Sequence, residues 1–332
     1  MTTDVVPPFT FVVGCGRSGT TVLRTALDAH PELAVTHEAG FVFPLSRRRS
    51  TYEQPVFDVE RLVADIVGGR RGKNLGNLGM DADDLRAALA GAPVTDYPDA
   101  VRRVFAAYAT RQGKPRYGEK MPSYVLHLPQ LAAVFPEGRF VHIVRDGRDV
   151  VRSSLAFPNN RSSLPSLALS WGARVKVGRR AGRALGAARY LEVRYEELVT
   201  EPARVLADVL AFLDLPYDAA VLHSHERKLP DRLAVHPGHQ RLAEPLSPSK
   251  RTWRETISPR EVELVEALVG DVLDELGYER AVPHPSPVTR TRALWARAAY
   301  QQERARARLP GVVRRAARTA DPGTARPQTR RS

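Results

Sequence analysis

Between an apolar, β-branched and aromatic run, Phe9 to Val13, and a helical pattern that begins near Thr20 lies the segment Gly14-Cys15-Gly16-Arg17-Ser18-Gly19-Thr20-Thr21. A strand that stops at glycine and turns directly into a helix N-terminus aims free backbone N–H groups, and the positive end of the helix dipole, at one small volume. The chemistry of such a loop is anion binding, and its length suits a phosphate. The nucleoside-triphosphatase loop G-x-x-x-x-G-K-[ST] shares the two glycines and Thr21, but here Thr20 stands at the lysine position. The cation has moved into the loop as Arg17, where a guanidinium lies beside the phosphate and its leaving oxygen and offers two parallel donors. The residues from Gly16 through Arg17, Ser18, Gly19, Thr20 and Thr21 are therefore expected to hold a phosphate without the usual Mg-triphosphate arrangement.

A second cluster follows a second apolar run. Phe140 to Val144 reads as a buried strand that ends in Arg145, turns through Asp146-Gly147-Arg148, and enters a helix from Asp149 whose first turns present Ser153. Together these two clusters resemble a known family. G-x-x-R-S-G-T-T followed by a helix and Asp28-Ala29-His30-Pro31 is similar to the 5′-phosphosulfate loop of sulfotransferases that use 3′-phosphoadenosine-5′-phosphosulfate (PAPS), above all the bacterial and tyrosylprotein sulfotransferases. The resemblance implies that Arg145 and Ser153 bind the 3′-phosphate, the group that distinguishes this donor from ATP. A strand-end ion pair between Arg145 and Asp146, with Ser153 an ordinary helix serine, is the plain structural alternative.

Three further segments extend the resemblance over most of Phe9 to Tyr278. Leu191 to Leu198 resembles a family strand whose tyrosine lies near the adenine, which assigns that place to Tyr195. Ser249 to Arg254 resembles a basic, tryptophan-bearing segment that closes over the 3′-phosphate, with Lys250 and Arg251 as its ligands. Gly118 to Pro122 resembles a short strand with a lysine before proline, which puts Lys120 near the transferred group; a salt bridge to Glu119 or a distant carboxylate is the structural alternative.

Sulfuryl transfer needs in-line placement, a base for the acceptor hydroxyl proton, and cations on the equatorial and leaving oxygens. Arg17 supplies a cation from the loop. For the base there are two candidates at the end of the second strand, His37 and Glu38. A glutamate at this distance after Asp-Ala-His-Pro is the base in the tyrosylprotein enzymes, and Glu38 matches it. Many cytosolic members use a histidine, and imidazole titrates near neutrality. Neighbours on a strand point to opposite faces, so only one of the two faces the acceptor if strand geometry persists, and Glu38 is preferred.

The elements that must position these residues alternate. Leu33 to Thr36, Arg139 to Val144 and Tyr190 to Tyr195 repeat the strand signal of Phe9 to Val13, and Leu206, Val209, Leu210 and Leu213 follow at helical spacing after Glu201-Pro202. Strands alternating with helices predict an α/β fold, a three-layer sandwich with a central parallel sheet and helices on both faces, of the P-loop nucleoside-triphosphatase type. One domain is expected over 9–280, with 46–115 a helical insertion that shapes the acceptor site. A long loop rich in Pro, His and Arg runs from His223 to Lys250, and a basic tail, partly disordered, covers 290–332.

Charge separates the body from that tail. The chain carries +13, but Arg290 onward holds 12 arginines against two acids, a net of +10, which leaves +3 for the rest. A near-neutral body argues against a nucleic-acid binder. Arginine supplies 44 of the 50 basic residues, a bias that weakens the isoelectric point as a guide to partners. Cys15, the single cysteine, rules out an intramolecular disulfide; its place in an anion loop favours a depressed thiol pKa, though no base partner makes it a nucleophile. His223, His225, His236 and His239 lack carboxylates at ligand spacing, so no metal is expected. The N-terminus has no signal-peptide pattern and no apolar run spans a bilayer, so a cytoplasmic setting is expected.

Three rivals remain open: a small-molecule kinase on a related loop, a non-catalytic nucleotide-binding protein, and a membrane-surface adaptor built on the basic tail, which could equally tether an enzyme to a lipid-linked acceptor. The missing lysine opposes the first, and the combination of Arg17, Glu38, Lys120, Arg145 and Ser153 opposes the second. A sugar, lipid, phenol or natural-product hydroxyl is the expected acceptor. The membrane anchor of the tyrosylprotein enzymes is not seen, so their protein acceptor is not carried over.

Overall fold

The computed structural model describes residues 7–69, 72–158, 160–227, 242–248 and 252–308. They fall into two compact units, one within 1–161 and 170–257 and the other within 162–169 and 258–332.

In the first unit, β1 (Thr10–Gly14), β2 (Leu33–His37), β3 (Arg116–Lys120), β4 (Arg139–Val144) and β5 (Tyr190–Arg194) form one sheet in the order β2-β3-β1-β4-β5. All four pairings are parallel. Side-chain alternation divides the strands between two cores. Phe9, Phe11, Val13 and Phe140 face one side, while Val12, Leu33, Val35, Val141, Ile143 and Val193 face the other. The first core is aromatic: the Phe11 ring stacks on Phe9 at 4.4 Å and on Phe140 at 5.1 Å between centroids.

Each face needs helices to keep these residues from water. On the second face lie α1 (Thr20–Ala29), through Leu23, Ala26 and Leu27, and later α9 (Tyr195–Thr200) and α10 (Pro202–Phe212). On the first face lie α2 (Val42–Ser46), α3 (Val59–Gly68), α4 (Ala82–Leu89), α5 (Tyr97–Thr110) and α6 (Leu128–Val134). Their starts are fixed by carboxylates that accept the otherwise unpaired first-turn N–H groups: Asp58 for α3, a capping box of Asp81 and Asp84 for α4, and Asp96 for α5. The stretch 46–115 is thus largely helical and packs Leu62, Ile66, Val101, Val104 and Phe105 onto the sheet. After β4 come α7 (Gly147–Leu155) and α8 (Leu164–Leu185), and α11 (Trp253–Thr256) closes the unit.

Two boundaries differ from those read in the sequence. The helix expected from Asp149 begins at Gly147, because the Asp146 carboxylate accepts the Arg148 N–H at 2.8 Å and caps it there. The fifth strand stops at Arg194, so Tyr195 opens α9 instead of ending the strand.

The second unit centres on α12 (Pro259–Glu275) and α13 (Pro287–Arg308). Ser258 and Glu261 form the capping box of α12. Glu266, 1% exposed, accepts the backbone N–H groups of Ala281 and Val282 and so fixes the connection, while Arg297 donates to the carbonyls of Ala267 and Leu268. The second unit takes up the chain again at Ser258, and the basic segment from Arg290 begins inside a helix. Among the described residues no helix is long and apolar enough to cross a membrane.

Candidate active site

Sheet order alone brings the chemistry together. Because β1 lies between β3 and β4, the loop that follows β1 is flanked by the C-terminal ends of those two strands, which carry Lys120 and Arg145. Ligands of open parallel sheets collect at this edge, where helix N-termini also converge.

The loop is built on two left-handed residues, Arg17 at φ 69° and Gly19 at φ 94°. Gly19 has a second reason to be glycine: a Cβ there would lie 2.4 Å from the Tyr195 ring. Arg17, a non-glycine in this region, is held by its surroundings. Its Nε donates to Ser153 Oγ at 3.1 Å, its guanidinium lies 5.0 Å from the Phe157 ring centroid, and its carbonyl accepts from Arg145 at 3.4 Å. Burial and the neighbouring Arg145 charge both pull the Arg17 pKa down. The Ser18 hydroxyl and Arg145 Nε are buried with no hydrogen-bond partner among the described residues. Unmet donors beside crowded guanidinium groups are what a dianionic ligand would satisfy.

Arg145 is positioned from three sides. Its guanidinium stacks over Tyr195 at 4.3 Å, approaches Asp149 at 3.7 Å, and its carbonyl accepts from Trp171 Nε1 at 3.1 Å. Its ion-pair partner is Asp149 and not Asp146, which is taken by Arg148 at 2.8 Å. Asp149 also accepts the Trp253 N–H at 2.8 Å, and Arg148 lies 4.0 Å over the Trp253 ring. The tryptophan of the late basic segment is thereby docked against α7. Lys250 and Arg251 lie outside the described residues.

On the other side of the loop, Lys120 Nζ meets Glu38 Oε1 at 2.6 Å. Lys120 is 1% exposed, and burial pushes its pKa down to about 8 against the raising influence of Glu38. Strand geometry does not persist beyond His37: Glu38 adopts φ 42°, a left-handed conformation that in a non-glycine residue costs about 1–2 kcal/mol. That turn swings its carboxylate to the lysine, while His37 pairs in register with Lys120 inside the sheet. Glu119, the lysine partner allowed by the sequence, points elsewhere. It is fully buried, accepts the Gly40 N–H at 2.7 Å, and burial raises its pKa to about 7.

The Asp-Ala-His-Pro segment secures the start of β2. Asp28 accepts the Val35 N–H at 2.9 Å and pairs with Arg24 at 3.2 Å, and His30 contacts the Pro216 carbonyl at 2.9 Å. Among the described residues no group of three or more His, Cys, Asp or Glu is arranged to hold a metal; His236 and His239 fall outside them. The expected depression of the Cys15 thiol pKa is overturned. Burial pushes it up to about 11, and Arg174 acts in the opposite direction.

Sequence reasoning missed the pairing of Asp149 with Arg145, which their i,i+4 spacing signals, and the contacts of Phe157 and Trp171, which leave no signal.

The sulfotransferase family model matches residues 8–219. The protein-tyrosine sulfotransferase of Drosophila melanogaster is 27% identical over 278 residues, covering 80% of this chain and 48% of that protein. Protein-tyrosine sulfotransferase A of Caenorhabditis elegans is 25% identical over 84% of this chain and 69% of its own length. The chain therefore spans about half the length of the fly relative and about two thirds of the nematode one. Nodulation protein NoeE of Sinorhizobium fredii is 26% identical over 86% of this chain and 70% of its own. Among solved structures, the sulfotransferase domain of the Synechococcus PCC 7002 olefin synthase aligns with TM-score 0.52 at 22% identity, over 83% of this chain and 97% of that one, a likeness of fold. The chain belongs to the sulfotransferase family, whose reaction is transfer of a sulfuryl group from PAPS to an acceptor hydroxyl.

The raised thiol pKa has a direct consequence. Iodoacetamide at pH 7.5 should leave Cys15 of the native protein unmodified over a period in which the urea-unfolded chain is fully alkylated, as read by intact mass. Equally fast alkylation of both forms would contradict a thiol held in its protonated form.

Proposed function

We propose that this protein is a PAPS-dependent sulfotransferase in which Glu38 is the base and Arg17 and Lys120 neutralise the leaving phosphate oxygen. The observation that carries the reading is the 2.6 Å pairing of Glu38 with a buried lysine at the edge of the anion loop. A carboxylate held beside an ammonium group is poised to exchange that partner for an acceptor hydroxyl. PAPS supplies the sulfuryl group; Glu38 takes the hydroxyl proton as the acceptor oxygen bonds to sulfur. The electron pair of the broken S–O bond stays on the 5′-phosphate, where Arg17 and Lys120 meet the charge. Arg145 and Ser153 would hold the 3′-phosphate, and Tyr195 would lie near the adenine. Lys250 and Arg251 stay with the 3′-phosphate on the family resemblance alone.

The acceptor is a hydroxyl of a small molecule, glycan or lipid, chosen by the helical residues 46–115. The tyrosine acceptor named for the fly and nematode relatives enters as one member of a screen with labelled PAPS. The single cysteine favours a cytoplasmic setting. The basic tail from Arg290 would supply the membrane contact; in its described part α13 exposes Leu294 and Trp295 at 64% and 74% among arginines. This combination fits an anionic lipid surface.

Glu38→Gln should lower kcat by about 10²–10⁴ while leaving the affinity for adenosine 3′,5′-bisphosphate unchanged. A larger loss in His37→Gln would transfer the role of base to the histidine.

A lysine with a depressed pKa holds its proton only below that value, so kcat/KM should fall as pH rises through about 8. The chain has six lysines, and ¹³C-lysine NMR should show one side chain titrating there. If all six titrate near 10, Lys120 is not the buried cation described.

Vesicles rich in phosphatidylserine should sediment with the full chain at low salt, and Trp295→Ala should release it. Equal retention of the variant, or no sedimentation at all, removes the membrane contact.

A further inference from the structure

The segment from Glu38 to Phe43 is where the base enters the site, and its backbone is unusual in how completely it is held from the side. It leaves β2 through two left-handed residues, Glu38 at φ 42° and Gly40 at φ 72°, and wraps the C-terminal end of β3. Glu38 N–H donates to the Lys120 carbonyl at 2.9 Å, and the Glu38 carbonyl accepts from Asn77 at 3.3 Å. The Gly40 N–H donates to the Glu119 carboxylate at 2.7 Å. The Phe43 N–H donates to the Tyr124 hydroxyl at 3.2 Å, and that hydroxyl also hydrogen-bonds Glu119. The Val42 carbonyl accepts from the Tyr97 hydroxyl at 2.6 Å.

Two of these partners differ in kind from the others. Glu119 is a carboxylate with 0% exposure, in a position where an apolar residue would fill space without burying a charge, and Tyr124 is 1% exposed. A buried carboxylate is costly unless hydrogen bonds answer it, and here the Gly40 N–H answers one oxygen at 2.7 Å. Glu119 and Lys120 are consecutive on β3, so their side chains leave opposite faces of the strand. Both nevertheless act on the same six residues: the lysine meets the Glu38 side chain, and the glutamate meets the backbone two residues further on. The end of β3 is gripped from both faces.

We propose that Glu119, with Tyr124, is a positioning pair that holds the Glu38–Phe43 turn and so fixes the Glu38 carboxylate where the acceptor hydroxyl arrives. Both residues act through the turn, by hydrogen bonds to the Gly40 and Phe43 N–H groups. The left-handed backbone of Glu38 is unfavourable on its own, and hydrogen bonds to Gly40 and Phe43 are what keep the chain from relaxing into a straight extension of β2. Misplacement of a reacting group by about 1 Å suffices to lower turnover about a hundredfold. This inference rests on Glu38 being the base, and the test separates the two.

The experiment is a double-mutant cycle on the full chain, with Glu38→Gln, Glu119→Gln, the pair combined, and Tyr124→Phe, which removes only the hydroxyl. Steady-state transfer to one acceptor from the labelled-PAPS screen is measured with adenosine 3′,5′-bisphosphate affinity and melting temperature. Glu119→Gln should lower kcat ten- to a hundredfold with KM for PAPS and bisphosphate affinity unchanged, and Tyr124→Phe should lower it three- to tenfold. The combined variant should be no slower than Glu38→Gln alone, because a residue that acts only by placing the base has no effect once the base is gone. Additive losses in the combined variant, or a parallel fall of bisphosphate affinity and kcat, would make Glu119 a general structural residue and overturn the proposal. Full activity in both Glu119→Gln and Tyr124→Phe would also overturn it. Full activity in Glu38→Gln would sink the assignment of the base itself.

Discussion

An ammonium group that is 1% exposed must be answered by negative charge or give up its proton, and in this protein Glu38 answers it at 2.6 Å. Much of the active-site architecture follows from that pairing. Lys120 is buried because β3 is an interior strand, lying between β2 and β1 with cores on both faces. Its partner must come from the end of β2, so the chain turns left-handed at Glu38. The pull on the lysine pKa, down to about 8, shows that the pairing only partly offsets desolvation. A pair in this state is responsive: its carboxylate is available to a new hydrogen-bond donor, and its ammonium to a new anion.

The same logic runs on the other side of β1. Arg17 and Arg145 crowd one another, and the carboxylates near them are committed: Asp146 to Arg148, and Asp149 to Arg145 and the Trp253 backbone. Like charges brought this close disfavour one another, and an anionic ligand bound beside them relieves that repulsion. Aromatic faces help to orient both cations, Phe157 beside Arg17 and Tyr195 under Arg145, which also pairs with Asp149. On the proposed reading the arginines form a cationic donor half and the Glu38–Lys120 pair an acceptor half, on either side of β1.

The residues proposed for the donor half are mostly ones that a local sequence pattern singles out. Glycine spacing, Arg17 and the strand-end Arg145 are local patterns, and a strand–loop–helix unit leaves few places for them to go. The strands other than β3 were also legible from β-branched and aromatic runs; β3, with Arg116, Gly118, Glu119 and Lys120 in five residues, reads as a polar segment and was reached only through family resemblance. What could not be read was anything set by a long-range contact. The partner of Lys120 is 82 residues away in sequence, and nothing local distinguishes Glu38 from the adjacent Glu119 as its mate. The Cys15 thiol was misjudged for the same reason, since burial is a property of the packed loop and not of its composition.

The central claim is that the two flanking strands build a site for a nucleotide carrying a 3′-phosphate. Thermal stabilisation by adenosine 3′,5′-bisphosphate, set against ATP with and without Mg, tests it most directly. The account predicts a clear rise in melting temperature with the bisphosphate, little with ATP, and loss of the preference in Arg145→Ala. Stronger stabilisation by ATP with Mg, unchanged in that variant, would contradict it and return the protein to the kinase reading.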